Sequence, residues 1–358
     1  LNQFGGAERV LEVMHETFPD APIFTSIYLP DKMPDVFKKM DIRTSFMQKL
    51  PFLKNHFKKY LLLYPLAFNS FNLSEYDLIL SSSSAFAKGV RKRKNQCHIC
   101  YCYTPMRFAW RYKDYIEREK FNFIIRMILP LFMSILRKWD IDSNRNVDHF
   151  ITLSNFIAKR IKNIYNRTSV VIFPSINVKR FVPASNISDY FLVVSRLNAY
   201  KKIDVAIKAF NKLGFPLMII GEGPYKEQLM KMAGKNIEFM GRISDNDLPK
   251  YYAECRAVIF PGEEDFGIVP VEAQAAGRPV IAYGSGGALE TIIKDETGIY
   301  FDSIDEGSIM NAVNRFVSMK FDPKRIRDNA LRFDDEIFKE RLREFVNLKY
   351  AEFLNGKK

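Results

Sequence analysis

Residues Pro261–Glu272 read PGEEDFGIVPVE, and the way this stretch is framed decides the fold. Before it lies Ala257-Val-Ile-Phe260, a short apolar run that reads as a buried strand. After it, Val271-Glu-Ala-Gln-Ala-Ala-Gly277 is rich in helix formers and closes on a glycine. Strand, glycine-bearing acidic loop and helix start make a geometry that turns backbone N–H groups toward an anion. Pro270 fits the first helical turn, where its missing N–H costs nothing. Glu264 stands just before that turn and Glu272 lies one to two turns inside. Carboxylates beside an anion site make chemical sense if the anion is a phosphate carrying hydroxyl groups. Backbone N–H groups then take the phosphate, and the glutamates accept hydrogen bonds from sugar hydroxyls. The plainer alternative is a strand-to-helix loop with solvated acids.

Outward from this stretch the second half alternates. Strands are expected at Tyr190–Val194, Leu217–Ile220, Ile237–Met240, Ala257–Phe260 and Pro279–Ala282. Between them helices are expected at Asp204–Leu213, Tyr225–Met232, Asn246–Ala253, 267–276 and near Leu289, and later ones from Asp305, Pro323 and Asp334. Strand–helix alternation predicts an α/β fold with a parallel, doubly wound sheet and its ligand at the strands' C-terminal ends. Three kinds of loop sit at those ends. Ser195-Arg-Leu-Asn-Ala-Tyr-Lys-Lys202 carries Arg196 and Lys201; Gly221-Glu-Gly-Pro224 and Gly241-Arg-Ile-Ser244 are tight glycine turns; Gly284-Ser-Gly-Gly287 follows the strand at 279–282. Singly each glycine loop is weak evidence, and surface bases before a helix are common.

Glu264 and Glu272, eight apart with Phe266 and Gly267 between them, resemble the E-x7-E motif of retaining GT-B glycosyltransferases of family 4. These enzymes have two facing Rossmann-like domains, each with a parallel sheet, and a cleft between. The resemblance is strong from Tyr190 to Phe301 and moderate over the first half. It implies that Glu264, Arg196 and Lys201 are catalytic. Glu264 would hold sugar hydroxyls, and the two bases would stabilise the leaving nucleoside diphosphate in place of a metal. Phe266, Gly267, Ile268 and Val269 would present the phosphate- and sugar-binding backbone. Glu272 would bind the ribose, while Gly221, Gly241 and Ile243 would line the donor site. Lys202 stands where the family usually has glycine. The implied reaction is metal-independent and cofactor-free transfer with retention, the donor diphosphate helping to deprotonate the acceptor on the same face.

The first half carries a fainter pattern. Leu1-Asn-Gln-Phe-Gly-Gly6 reads as a glycine loop opening the helix Ala7–Phe18, and it resembles a family stretch that follows the first strand of the N-terminal domain. Here that strand is missing from the sequence. The resemblance makes Gly5 and Gly6 donor-site candidates; a turn needing positive φ is compatible with the same residues. Strands are expected at Ile23–Tyr28, Leu78–Leu80, His98–Tyr103, Val147–Leu153 and Val170–Phe173. Tyr103-Thr-Pro-Met-Arg-Phe-Ala-Trp110 resembles an H-T-P-x-R-x-x-W segment with a phenol where the family has histidine. Tyr103 can donate a hydrogen bond but titrates near pH 10, so a histidine-specific role is in doubt. Arg107 is a phosphate candidate, or pairs with Asp114. Ser81–Ser84 could bind an anion through hydroxyl and N–H groups but reads more simply as a turn with satisfied serines, and without a surrounding G-x-S-x-G elbow it is not expected to supply a nucleophile. Cys97-His-Ile-Cys100-Tyr-Cys102 reads as a buried strand before a zinc site, and the lone D-x-D at Asp140 and Asp142 is weak evidence for metal. The domains are expected at 1–173 and 174–334, with a helix at about 335–358 returning to the first.

Composition bounds the partners. Hydrophobic residues make up 47% of 358, with four cysteines, which describes a globular protein of a reducing compartment without a disulfide framework. No apolar stretch is long enough to span a bilayer, and no secretory signal is recognised. Nearly all of the net charge of +13 lies in residues 1–172. Met47–Phe71 mixes Lys49, Lys54, Lys58 and Lys59 with Phe52, Phe57 and Leu61–Leu63, a pattern expected of a basic amphipathic helix at a membrane interface or of an ordinary packed helix. Peripheral contact with an anionic membrane on the cytoplasmic side is therefore expected. The wording around Glu264 looks most like O-antigen and capsule mannosyltransferases. That suggests GDP-mannose as donor and a lipid-linked glycan as acceptor, with a UDP-sugar donor as the alternative. A sugar-nucleotide epimerase is a rival of the same fold. A nucleic-acid binder is a rival of another class, disfavoured by the acidic loop and the absence of a recognition motif.

Overall fold

The computed structural model of the chain describes residues 1–111 and 123–356. The chain divides into two units. The first comprises Leu1–Phe173 with Phe338–Lys358, and the second is the continuous stretch Pro174–Ile337.

The second unit is built on six parallel strands. They are β7 (Phe191–Val194), β8 (Leu217–Ile220), β9 (Ile237–Gly241), β10 (Val258–Phe260), β11 (Val280–Tyr283) and β12 (Gly298–Phe301), in spatial order β12-β11-β10-β7-β8-β9. The order reverses between β7 and β10, so this pair is the topological switch point, the crevice where doubly wound sheets bind ligands. Helices between the strands bury one stripe each. In Ile203–Leu213, Ile203, Ala206, Ile207 and Phe210 recur at three- and four-residue spacing and all are buried. Phe210 meets Phe191 of β7 edge-on at 5.2 Å. Full burial of such a side chain stabilises the fold by about 1.5–3 kcal/mol. Gly214, at φ +74°, ends this helix by donating its N–H to the Phe210 carbonyl.

The first unit carries a parallel sheet β3-β4-β5-β6, formed by Leu78–Ser83, Cys97–Cys102, His149–Thr152 and Val170–Val171. A separate parallel pair joins β1 (Ile23–Thr25) to β2 (Ile42–Thr44). β4 is buried at every position and holds three of the four cysteines as free thiols. The final helix, Asp335–Asn355, packs on this unit through Phe338, Leu342 and Val346. Phe338 meets Tyr101 of β4 at 5.9 Å, and Lys339 pairs with Glu16 at 2.7 Å.

Three expectations are corrected here. Met47–Phe71 is no single amphipathic helix. A positive φ at Phe52 and a non-helical Tyr60 break it into the short 3₁₀ and α segments Phe46–Lys49, Leu53–His56, Phe57–Leu63 and Tyr64–Asn69. Ser81–Ser83 form no turn but continue β3 opposite Cys100–Cys102. Their hydroxyls find His98, Tyr103 and the Lys88 backbone N–H, which lets polar residues occupy a buried strand. Gly5 and Gly6 do not sit at positive φ: Gly5 is extended and caps the helix Gly6–Thr17. Two short strands, β2 and β12, were not expected from the sequence.

Candidate active site

The switch point gathers two loops. The loop after β7 holds Arg196 and Lys201, with Ala199–Lys201 in a 3₁₀ turn and Lys202 in the left-handed region at φ +59°. A left-handed backbone at that position accounts for a glycine being an easy fit there, and lysine adopts it at some cost. The loop after β10 holds Glu263–Phe266 and leads through Gly267 (φ +91°) into the helix Ile268–Ala275. Lys201 Nζ donates to Glu264 Oε1, a direct ion pair joining the two loops with both side chains four-fifths buried. Gly262 brings the second loop against the first, since a Cβ there would lie 3.1 Å from the Lys201 carbonyl. Arg196 is exposed at the mouth of the β7 loop.

Glu264 is fixed by its backbone as well. Its carbonyl accepts from Gly287 N–H at 2.9 Å, and Ser285 Oγ donates to Glu263 at 2.8 Å. Added Cβ atoms at Gly286 and Gly287 would meet the Glu264 carbonyl and the Phe266 backbone at 2.3 and 2.2 Å. Only glycine lets the two loops lie this close. Phe266 points inward against Phe333, at 5.6 Å, so its contribution to the surface is backbone. The helix after Gly267 has no side-chain cap, and the N–H groups of its first turn, without intrahelical acceptors, lie at the positive end of the helix dipole.

Glu272 lies in that helix and is buried. Tyr252, itself wholly buried in the helix Leu248–Glu254, donates to Glu272 Oε2 at 2.7 Å. The helix is braced further by Gln274, which donates to the Pro270 and Thr291 carbonyls at 3.0 and 2.9 Å and accepts from Asn329. The sequence reading missed Tyr252 and Gln274. A tyrosine on the inner face of the preceding helix was the available signal for the first.

The glycine turns after β8 and β9 serve their neighbours. Gly221 N–H donates to Gly241 O at 2.8 Å, and a Cβ on Gly221 would fall 1.8 Å from the Ser195 carbonyl. A Cβ on Gly223 would fall 2.4 Å from the Leu197 carbonyl. The loops that carry Ser195–Lys201, Gly221 and Gly241 are thereby laced together by backbone contact, and Ile243 follows on the last of them.

The remaining candidates lie in the first unit. The Tyr103 hydroxyl donates to the Ala7 carbonyl at 3.0 Å and pairs with Ser82 Oγ at 3.0 Å, tying β4 to β3 and to the helix after Gly5 and Gly6. Burial pushes the phenol's pKa well above the ordinary tyrosine range. Arg107 opens the helix Arg107–Trp110; Asp114, its expected alternative partner, lies outside the described residues. Of the D-x-D pair, Asp140 is wholly buried and pairs with Lys88 at 2.8 Å, while accepting from Trp110 and Tyr165. It is a core ion pair. Among the described residues no group of three or more His, Cys, Asp or Glu is placed to hold a metal ion.

The sequence pattern of the family "Glycosyl transferases group 1" matches residues 178–333, nearly the whole second unit. That stretch is similar to the glycosyltransferase group 1 family. The chain is 29% identical over 230 residues to a GDP-mannose-dependent α-(1-6)-phosphatidylinositol monomannoside mannosyltransferase of Mycolicibacterium smegmatis, covering 55% of this chain and 58% of that one. It is 25% identical over 241 residues to the O-antigen chain mannosyltransferase RfbU of Salmonella typhimurium, covering 63% of each. The chain thus spans less than two thirds of the curated relatives it matches. Among solved structures it resembles HepE of Anabaena in complex with UDP-glucose, with a TM-score of 0.70, 17% identity and coverage of 97% of both chains. The likeness gives the chain the GT-B fold.

Proposed function

We propose that this chain is a retaining, metal-independent glycosyltransferase that moves a hexose from a nucleotide diphosphate sugar onto a lipid-linked glycan of the cell surface. The observation carrying this reading is the Lys201–Glu264 pair at the β7/β10 switch point, beside the uncapped helix start at Gly267. A cation, a carboxylate and backbone donors held together there suit a diphosphate with a sugar attached. Lys201 and Arg196 would stabilise charge as it develops on the leaving diphosphate, and Glu264 would accept from sugar hydroxyls. Glu272, oriented by Tyr252, would accept from the ribose. A leaving diphosphate oxygen would take the acceptor's proton on the face it departs from.

GDP-mannose is the first donor candidate, supported by the mycobacterial relative's name. A UDP-sugar is the second, supported by the HepE complex. The lipid-linked acceptor and a peripheral position on the inner membrane face rest on the relatives and on exposed apolar side chains of the first unit. Phe46, Phe52, Leu62 and Leu66 are exposed in the broken 46–69 segment, and Met127, Leu131 and Ile135 recur every four residues along the helix Phe123–Asp142. Among the described residues no helix is long and apolar enough to cross a membrane.

A thermal-shift panel of GDP-mannose, UDP-glucose and UDP-galactose tests the donor. GDP-mannose is expected to stabilise most, and a larger UDP-sugar shift would reverse the choice. Glu264→Ala should lower transfer by about 10²–10³-fold with its circular dichroism unchanged. Full activity in that variant would remove Glu264 from the site.

A further inference from the structure

The ion pair at the switch point engages with one another two charges that the proposed reaction needs for its ligand. Lys201 Nζ donates to Glu264 Oε1, and about a fifth of each side chain meets solvent. The pair is therefore within reach of a ligand, and burial keeps salt from screening it fully. Lys201 Nζ also stands 5.1 Å from the centre of the Tyr200 ring, a contact that favours the charged ammonium. Arg196, Lys201 and Lys202 on one loop are matched by Glu263, Glu264 and Asp265 on the other.

Neither backbone has room to shift. A Cβ at Gly262 would lie 3.1 Å from the Lys201 carbonyl, and the Glu264 carbonyl is held by Gly287 N–H at 2.9 Å. A change of partner at this pair is therefore made by side-chain torsions and not by loop movement. A bare diphosphate reaches Lys201 only by taking the ammonium from Glu264. That leaves a largely buried carboxylate without its donor and beside a second anion. A diphosphate bearing a sugar meets no such penalty. Its oxygens take Lys201 while its hydroxyls donate to Glu264 in place of the ammonium. A charge left unpaired by one ligand and satisfied by another discriminates between them.

We propose that the Lys201–Glu264 pair is a charge clasp that selects the sugar-bearing diphosphate over the bare one and drives release of the product, a role that rests on the reading of this switch point as a nucleotide-sugar site. Transfer breaks the bond between the anomeric carbon and a diphosphate oxygen. That carbon bonds to the acceptor oxygen, and the acceptor's proton passes to the diphosphate. The hexose leaves with the acceptor, so Glu264 loses the hydroxyls it held. Its carboxylate returns to Lys201, which weakens the hold on the nucleoside diphosphate when release is required.

Binding calorimetry on the full chain, without acceptor, tests this with GDP against GDP-mannose and UDP against UDP-glucose. The chain itself is expected to bind a sugar nucleotide more tightly than the matching bare diphosphate. Glu264→Gln keeps the shape and removes the charge. It should tighten binding of the bare diphosphate about tenfold and weaken that of the sugar nucleotide. Glu263→Gln removes the same charge one residue earlier and keeps an acceptor for Ser285, so it should shift diphosphate affinity by no more than about twofold. Lys201→Ala should weaken both ligands by about tenfold or more. A diphosphate affinity unchanged or lowered in Glu264→Gln, with the Lys201→Ala loss intact, would overturn the clasp and leave the diphosphate site standing. Equal gains from Glu264→Gln and Glu263→Gln would overturn it by making overall charge the cause. No binding of any of these nucleotides, by the chain or its variants, would overturn the site and the clasp together.

Discussion

Tyr252 and His98 show how single side chains set a charge state. Tyr252→Phe removes the hydrogen bond to a buried carboxylate, and should cost about 1.5–3 kcal/mol of stability in denaturant unfolding. If Glu272 binds the ribose, the same change raises the donor KM several-fold with kcat nearly unchanged; an unchanged KM would make Tyr252 purely structural. His98 is wholly buried, with Nδ1–H donating to the Asn146 carbonyl at 2.6 Å and Nε2 accepting from Ser81 at 2.8 Å. Burial lowers its pKa from 6.5 to about 4, so the folded protein keeps it neutral. Below pH 6.5 the unfolded chain takes a proton that the folded one refuses. Stability is therefore lost as pH falls from 6.5 toward 4, by about 3 kcal/mol, and no further below that. His98→Gln should flatten this slope in unfolding curves taken between pH 7 and 4.

At the scale of elements, backbone contact between loops is the organising force around the switch point. Gly221→Ala must push a Cβ into the Ser195 carbonyl at a φ of +141°, and should destabilise by about 3 kcal/mol or more. Gly214→Ala is the control. Its φ of +74° is also left-handed, but nothing lies within 4 Å of the added Cβ, so about 1 kcal/mol is expected. Similar losses in both would mean that strain, and not loop contact, sets the glycines. The order of elements in the second unit was legible because its strands are apolar runs punctuated by glycine. Ile237–Met240 and Leu217–Ile220 lie within a residue of β9 and β8. β12, Gly298–Phe301, was not legible, because four residues beginning with glycine carry no periodicity. The 46–69 segment misled for the opposite reason. Its mix of lysine and aromatics has helical composition, and the break at Phe52 comes from tertiary packing of Met47, Leu53 and Ala67 around Ile27. At the candidate site, the acids and bases were legible by type and spacing. The Lys201–Glu264 bond and the role of Tyr252 were not, because sequence separation of 63 and 20 residues conceals contact.

For the whole molecule, the two units differ in how their chain is drawn. Residues 174–337 are continuous, whereas the first unit is closed by residues from the far end of the sequence. Ending the chain at Ile337 removes the buried Phe338, Leu342 and Val346. Three such side chains contribute about 5 kcal/mol or more, a large part of an ordinary domain's stability. The truncated protein should lose the first unit's cooperative unfolding, while the second keeps its own melting transition. Two intact transitions after truncation would show that the last helix is dispensable. The same wiring sets an order of events during synthesis. The ribosome delivers the first 173 residues long before the helix that covers β4 emerges, so the earlier half must wait, with Tyr101's outer face bare, while the later half folds ahead of it. Chaperones are expected to hold the nascent segment that carries β4 until residues 338–355 have emerged.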